Sequence, residues 1–284
     1  MVKRLRYIAV IAGIAMVLLI AMVAPTTAVS QDRVAVGPIL IIGDSVLVQS
    51  AAALERTTST VSVIADGGSG SAPCDWVAGY TDPFTGRFLK FTSAFNASHP
   101  SVVVLAFTGN PGLDWSTTGC VDSDGPYSLA SLLANYQTSL TTMATYASDH
   151  GAQVYFSAAP PRNPATAAGA YTGANGESEF GFNGVPQINA LYQEMVASRL
   201  GRRLHWVYDP DAAENVSNAQ LEWQLTEPCT ASDGSSCVDG RVQVRAGGDD
   251  AIHLDPNGAG ATRYAAGLLE MPLKDMGLTM ATST

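Results

Sequence analysis

Charge is scarce in this sequence. Only 14% of its 284 residues are charged, and 15 Lys and Arg face 25 Asp and Glu, for a formal net charge of -10. A chain so poor in cations has no electrostatic footprint for nucleic acid or an anionic membrane surface, so no nucleic-acid partner is expected. Histidine and cysteine number four each. No Cys-x-x-Cys pair occurs and no histidine neighbours a cysteine, so the spacing of a zinc site is missing. Asp122 and Asp124 hint at a calcium loop, but the twelve-residue acidic pattern with its terminal Glu is absent. There is no Gly-x-x-x-x-Gly-Lys-Ser/Thr phosphate cradle, and Gly67-Gly68-Ser69-Gly70 lacks the downstream pattern of a dinucleotide site. No metal and no cofactor is therefore expected. Internal repeats, heptads and long charge runs are missing too, and no pair of carboxylates stands out for glycosidase chemistry.

The long apolar run lies at the N-terminus. Lys3, Arg4 and Arg6 precede an uncharged stretch from Tyr7 to Ala24, followed by Pro25-Thr26-Thr27-Ala28-Val29-Ser30. That is the basic start, apolar middle and small-residue exit of a secretory signal, with Ala28 and Ser30 flanking a cut before Gln31. The run exceeds the roughly 7–15 residues of a cleaved signal and approaches a bilayer span. Residues 1–30 thus read as a signal peptide or an uncleaved N-terminal anchor with its basic end in the cytoplasm. Both place the rest of the chain outside the cytoplasm, secreted or tethered to a membrane through that segment alone. Without the leader, three cations go and every acidic residue stays, leaving a net charge near -13. Residues 31–284, 46% apolar over the whole chain and with most of its 27 glycines, suffice for one well-buried α/β domain.

Four cysteines in an exported chain favour two disulfides. Cys229 and Cys237 lie in a polar, Gly/Ser-rich segment and would close a short loop. Cys74 and Cys120 then pair by elimination, joining loops that follow two expected strands.

Apolar, β-branched stretches alternate with amphipathic ones. Strands are expected at Val34–Ile42, Val61–Ala65, Ser101–Phe107, Gln153–Ala158 and Leu204–Tyr208. Helices are expected at Val46–Arg56, Leu129–His150 (stopped by Gly151), Val185–Leu200 and Asn257–Leu269. Such alternation implies a mostly parallel sheet covered on both faces, a three-layer α/β/α sandwich. In these sheets sites form at the carboxyl ends of strands. Ser45, Gly70 and Asn110 each follow an expected strand closely.

The first strand runs into Gly43-Asp44-Ser45-Val46, and Asp250-Ala251-Ile252-His253 lies 200 residues on. A serine hydroxyl is a weak nucleophile until an imidazole accepts its proton, and a carboxylate fixes the tautomer of that imidazole. Ser45, His253 and Asp250 supply all three groups. The bland alternatives are specific. Ser45 or Asp44 suits a helix N-cap, and Asn110-Pro111 is a good turn. His99, His150 and His205 have no carboxylate at the spacing of Asp250, while Asp249 and Asp255 read as turn or surface residues. An α/β-hydrolase elbow needs Gly-x-Ser-x-Gly, which Gly43-Asp44-Ser45-Val46-Leu47 does not supply.

Taken together these segments resemble the SGNH hydrolases, or GDSL esterases and lipases, over nearly the whole of residues 31–284. Gly43-Asp44-Ser45 matches the first block, with Val46 for the usual Leu. The second-block glycine falls on Gly70, with Gly68 as the alternative. The third block, Gly-x-Asn-Asp, is represented by Thr108-Gly109-Asn110-Pro111, where Asn110 matches, the glycine is displaced and the final Asp is absent. Asp250 and His253 match the last block, Asp-x-x-His. The resemblance implies a flavodoxin-like fold, Ser45 as nucleophile, His253 as base, and Asp250 as its orienting group. It also implies an oxyanion hole from the Ser45 and Gly70 N–H groups and the Asn110 side chain. The expected activity is hydrolysis of O-acyl esters on a carbohydrate, glycolipid or lipid. Cys229–Cys237, followed by Arg241-Val242-Gln243-Val244-Arg245 and Asp250-x-x-His253, resembles SGNH domains associated with sugar O-acyltransferases. A sugar O-acyltransferase, a secreted lipase and a non-catalytic cell-envelope binding protein stand as alternatives.

Overall fold

The computed structural model describes residues 36–57, 61–110, 120, 129–160, 184–198, 203–205, 225–230, 233–246 and 253–279. All lie in the unit Val34–Thr284. The leader, Asp249, Asp250, Asp122 and Asp124 fall outside the described residues, as does Pro111.

The first element among the described residues is β1 (Ile39–Gly43), every residue of which is buried. An unbroken apolar strand of this kind belongs in the middle of a parallel sheet, where both faces are covered. It leads into α1 (Ser45–Thr57) and β2 (Val63–Gly67). A short helix, α2 (Pro73–Ala78), a hairpin of β3 (Tyr80–Thr81) and β4 (Phe88–Leu89), and α3 (Phe91–Ser98) follow. Then come β5 (Val102–Ala106), α4 (Leu129–Asp149), β6 (Gln153–Ser157), α5 (Gly184–Ala197) and β7 (Arg203–His205). A second hairpin, β8 (Thr226–Pro228) with β9 (Arg241–Gln243), precedes α6 (Ala259–Asp275).

The main sheet has the order β2-β1-β5-β6-β7 and is parallel throughout. Side-chain alternation splits each strand between two cores. Leu40, Ile42, Val103 and Leu105 face a cluster with Trp76, Phe91 and Tyr136 of α2, α3 and α4. Ile39, Ile41, Val102 and Val104 face a cluster with Leu47 of α1 and Tyr264 and Leu268 of α6. The fold is thus a three-layer α/β/α sandwich.

Chain order reverses between β1 and β5, the topological switch point at which doubly wound sheets open a crevice at their carboxyl edge. The register there is tight: Gly43 lies opposite both Gly67 and Ala106. A Cβ on Gly43 would stand 2.4 Å from the Ala106 carbonyl oxygen, so a side chain cannot fit where these strands end together. Ser45, Gly70 and Asn110 emerge two, three and four residues beyond that shared rung.

Two disulfides, Cys74–Cys120 and Cys229–Cys237, are present, with Cα separations of 5.2 and 5.7 Å. Disulfides of this kind persist in oxidising compartments. Among the described residues no helix is long and apolar enough to cross a membrane, and no group of His, Cys, Asp and Glu could hold a metal.

Candidate active site

Ser45 opens α1 immediately after β1, so its backbone N–H is one of those a helix start leaves without an intrahelical acceptor. Asp44 caps the helix, its Oδ1 accepting the Val46 N–H at 3.1 Å, and its carbonyl accepts the Val48 N–H. No described group takes the Ser45 N–H. It points out of the positive end of the helix, where negative charge is stabilised.

The Ser45 Oγ lies 3.1 Å from His253 Nε2, a contact that spans 208 positions of sequence. Both residues are half-buried. His253 precedes α6 and is held through the peptide unit that follows it: its carbonyl accepts the Ala246 N–H at 2.9 Å, and the next N–H, of Leu254, goes to Gln49 Oε1 at 2.9 Å. Asp250, the expected orienting carboxylate, lies outside the described residues. Asp255 is a turn residue, accepting from the Asn257 and Gly258 N–H groups. His99 caps the end of α3 and His150 follows α4; His205 ends β7.

Asn110 is buried. Its amide donates to Asp44 Oδ2 at 3.0 Å, and its carbonyl accepts from the Tyr136 hydroxyl. An Asn amide carries two N–H donors, so one remains after the bond to Asp44. Asp44 Oδ2 also accepts from the Thr108 N–H and hydroxyl, each at 2.7 Å. The one carboxylate therefore joins the start of α1 to the loop after β5. Its negative charge is felt beyond that loop: burial first, and Asp44 second, push the phenols of Tyr192 and Tyr264 above their ordinary value, keeping both neutral.

The loop after β2 separates the two candidate glycines. The Gly68 N–H is committed to the Gly43 carbonyl at 3.1 Å, so it has no donor to offer a ligand. Gly70 has φ +75°, a conformation open chiefly to glycine, and no described group takes its N–H. Ser71 braces the turn, its buried hydroxyl donating to the Gly68 carbonyl at 2.8 Å and accepting the Trp76 Nε1–H at 3.1 Å. Three residues of this site carried no motif signal: Thr108, Ser71 and Gln49. Helical spacing alone places Gln49 on the face of Ser45, four residues on. Thr108 acts through a contact with Asp44, 64 positions away, which no local pattern reveals, and Ser71 braces a turn that has no regular period.

No protein-family model matches the sequence, and no curated protein matches it. Solved structures do. A catalytic mutant of an acetylxylan esterase from Geobacillus stearothermophilus is 12% identical, with a TM-score of 0.47 over 87% of this chain and 97% of that one. A GDSL-like lipase from Bacteroides thetaiotaomicron is 11% identical, with a TM-score of 0.47 over 84% of this chain and 87% of that one. At such identities and scores the likeness assigns no residue of this chain a role. The solved proteins similar to this chain include GDSL-type lipases and acetylxylan esterases.

Proposed function

We propose that this protein is a serine-dependent ester hydrolase of the SGNH type, acting outside the cytoplasm on O-acyl esters, most simply short-chain esters of a carbohydrate or glycolipid. The observation that carries the reading is the 3.1 Å approach of His253 Nε2 to Ser45 Oγ at the start of a helix and at the switch point of a parallel sheet. A pure binder of the same fold has no need of that pair.

In the reaction, His253 Nε2 takes the Ser45 proton as Oγ attacks the acyl carbon. The carbonyl π pair moves to oxygen, giving a tetrahedral oxyanion. The N–H groups of Ser45 and Gly70 and the remaining Asn110 N–H would donate to it, aimed where charge develops. Collapse expels the alcohol, which receives the proton from His253, and leaves an acyl-Ser45 ester. Water, deprotonated by His253, then attacks that ester. The second tetrahedral intermediate breaks its bond to Ser45 Oγ, which takes the proton back from His253, and the acid departs. Asp250 would hold the ring in the productive tautomer and stabilise the imidazolium. The leader and the two disulfides support an exported location.

Ser45→Ala and His253→Ala should each lower kcat for a short-chain nitrophenyl ester by at least ~10³-fold while the circular dichroism spectrum stays native, with Asp250→Asn leaving weak residual turnover. Near-normal turnover in Ser45→Ala would refute the nucleophile assignment. A panel of acyl lengths on the wild-type chain then separates a short-acyl esterase, the expected outcome, from a lipase.

A further inference from the structure

The bond between Leu254 and Gln49 is not required by any element of the triad, yet it joins the two halves of the site. Leu254 directly follows His253 and donates its N–H to Gln49 Oε1 at 2.9 Å, across 205 positions of sequence. Gln49 stands one helical turn after Ser45 on α1, so the two side chains occupy the same face. Helical side chains lean toward the N-terminus of their helix, which carries the Gln49 amide toward Ser45 rather than away from it. The Leu254 side chain is fully buried in the core shared by α1 and α6, and the His253 carbonyl accepts the Ala246 N–H. The base is therefore held by an apolar anchor and by two backbone bonds, one of which ends on the helix of the nucleophile.

We propose that Gln49 is a positioning residue that clamps the backbone following His253 to α1, so that Ser45 and His253 keep their separation as one body. This rests on the reading of Ser45 and His253 as nucleophile and base. Proton transfer between them depends steeply on geometry, and misplacement by about 1 Å can cost up to roughly 10²-fold in rate. Leu254 is buried, so loss of the Gln49 acceptor also destabilises the fold, an effect read separately from activity by thermal unfolding of each variant.

The test compares Gln49→Leu, which keeps the bulk and removes the acceptor, with Gln49→Glu, which keeps the acceptor and adds a carboxylate. Both are made in the full chain beside Ser45→Ala, and para-nitrophenyl acetate hydrolysis is followed against pH. Gln49→Leu should lower kcat roughly 10-fold with KM within about twofold, since the lost contact orients the base rather than the substrate. Gln49→Glu should regain most of kcat above the acid limb of the profile. It should also move that limb to higher pH, because a new carboxylate favours the protonated imidazole. Among the described residues the charged groups nearest this contact in sequence are Asp44 at the start of α1, and Arg245 and Asp255 on the segments beside the base; these, and Asp250, the proposed partner of the ring, are unchanged in all variants.

Wild-type kcat in Gln49→Leu, or no recovery and no displaced limb in a folded Gln49→Glu, would overturn the clamp. If Ser45→Ala retains activity, it is the nucleophile reading that fails. The clamp is then judged by NMR: the Leu254 amide should exchange faster in Gln49→Leu, and the His253 ring should titrate at higher pH in Gln49→Glu. Absence of both changes counts against the clamp whatever the activity.

Discussion

Asp44 receives more hydrogen bonds than the serine beside it. Its two oxygens accept from the Val46 N–H, the Thr108 N–H, the Thr108 hydroxyl and the Asn110 amide, all of them donors. In the sequence it reads as a helix cap, and the structure adds the link to β5. Asp44→Asn replaces one accepting oxygen with an NH₂ that faces donors. Loss of accepting capacity in a buried site costs roughly 1–3 kcal/mol, and the Asn110 amide loses its anchor. We expect an unfolding free energy lower by about that amount, together with a fall in kcat larger than the change in KM, as for a misplaced oxyanion donor. Equilibrium unfolding in urea and ester kinetics on the same preparation check both. A stability loss with unchanged kcat would make Asp44 purely structural. Ser45, Asn110 and His253 stood out in the sequence as candidates, because they are reactive or amide-bearing types at short motif spacings. Thr108 and Gln49 were not legible there, since each acts on a partner distant in sequence.

At the scale of elements, the β8–β9 hairpin and α6 are bolted together behind the His253 segment. Arg263 on α6 reaches Glu227 of β8 and Asp233 at 2.6 Å each, and the Pro228 carbonyl at 2.9 Å. The side chains of all three ionised partners are nearly buried. Asp233 also accepts from the Thr230 N–H and hydroxyl, and the Cys229–Cys237 disulfide closes the same loop. Burial alone would raise the Asp233 carboxyl. The Arg263 bond and charge and the Thr230 bonds outweigh it and hold the group below its ordinary value. A carboxyl depressed in the folded state contributes stability that is complete above its ordinary value near pH 4 and is lost as pH falls through the lower folded value. Asp233→Asn should therefore flatten the acid side of the stability-against-pH curve, read from thermal midpoints between about pH 2 and 6. Arg263→Met should cost more, roughly 3–5 kcal/mol, because it strands two buried carboxylates. An unchanged acid slope in Asp233→Asn would remove the carboxylate from this account. The long elements were readable: α1, α4, α5 and α6 and the main strands lie close to where apolar periodicity puts them, with α6 running on to Asp275 past the expected Leu269. The helix α2, both hairpins and α3 were not anticipated. Strands of two or three residues carry no period, and α2 owes its place to Trp76 packing into the core and to the Cys74–Cys120 bond.

For the whole molecule, hydrolysis and transfer share the acyl-Ser45 intermediate and differ in whether water or a sugar hydroxyl attacks it. Ser45 and His253 are half-buried, each keeping part of its surface in solvent, so water is the expected acceptor. With an acyl donor and excess sugar acceptor, free acid should exceed acylated sugar. A predominance of acylated sugar, resolved by chromatography, would turn the assignment toward an acyltransferase. The α/β class and the candidate reactive residues were already readable in the sequence, and the leader and cysteines made an exported location the expectation. All of these depend on local quantities: the length and period of apolar runs, and side-chain chemistry at fixed spacings. The strand order β2-β1-β5-β6-β7, which lays three strand ends on one rung, was not readable there, nor was the commitment of the Gly68 N–H to Gly43, which leaves Gly70 as the glycine with an available donor. Folding brings His253 to Ser45 across 208 residues. Such contacts follow from how two separate cores pack on opposite faces of one sheet, a global balance of burial that no short window of residues contains.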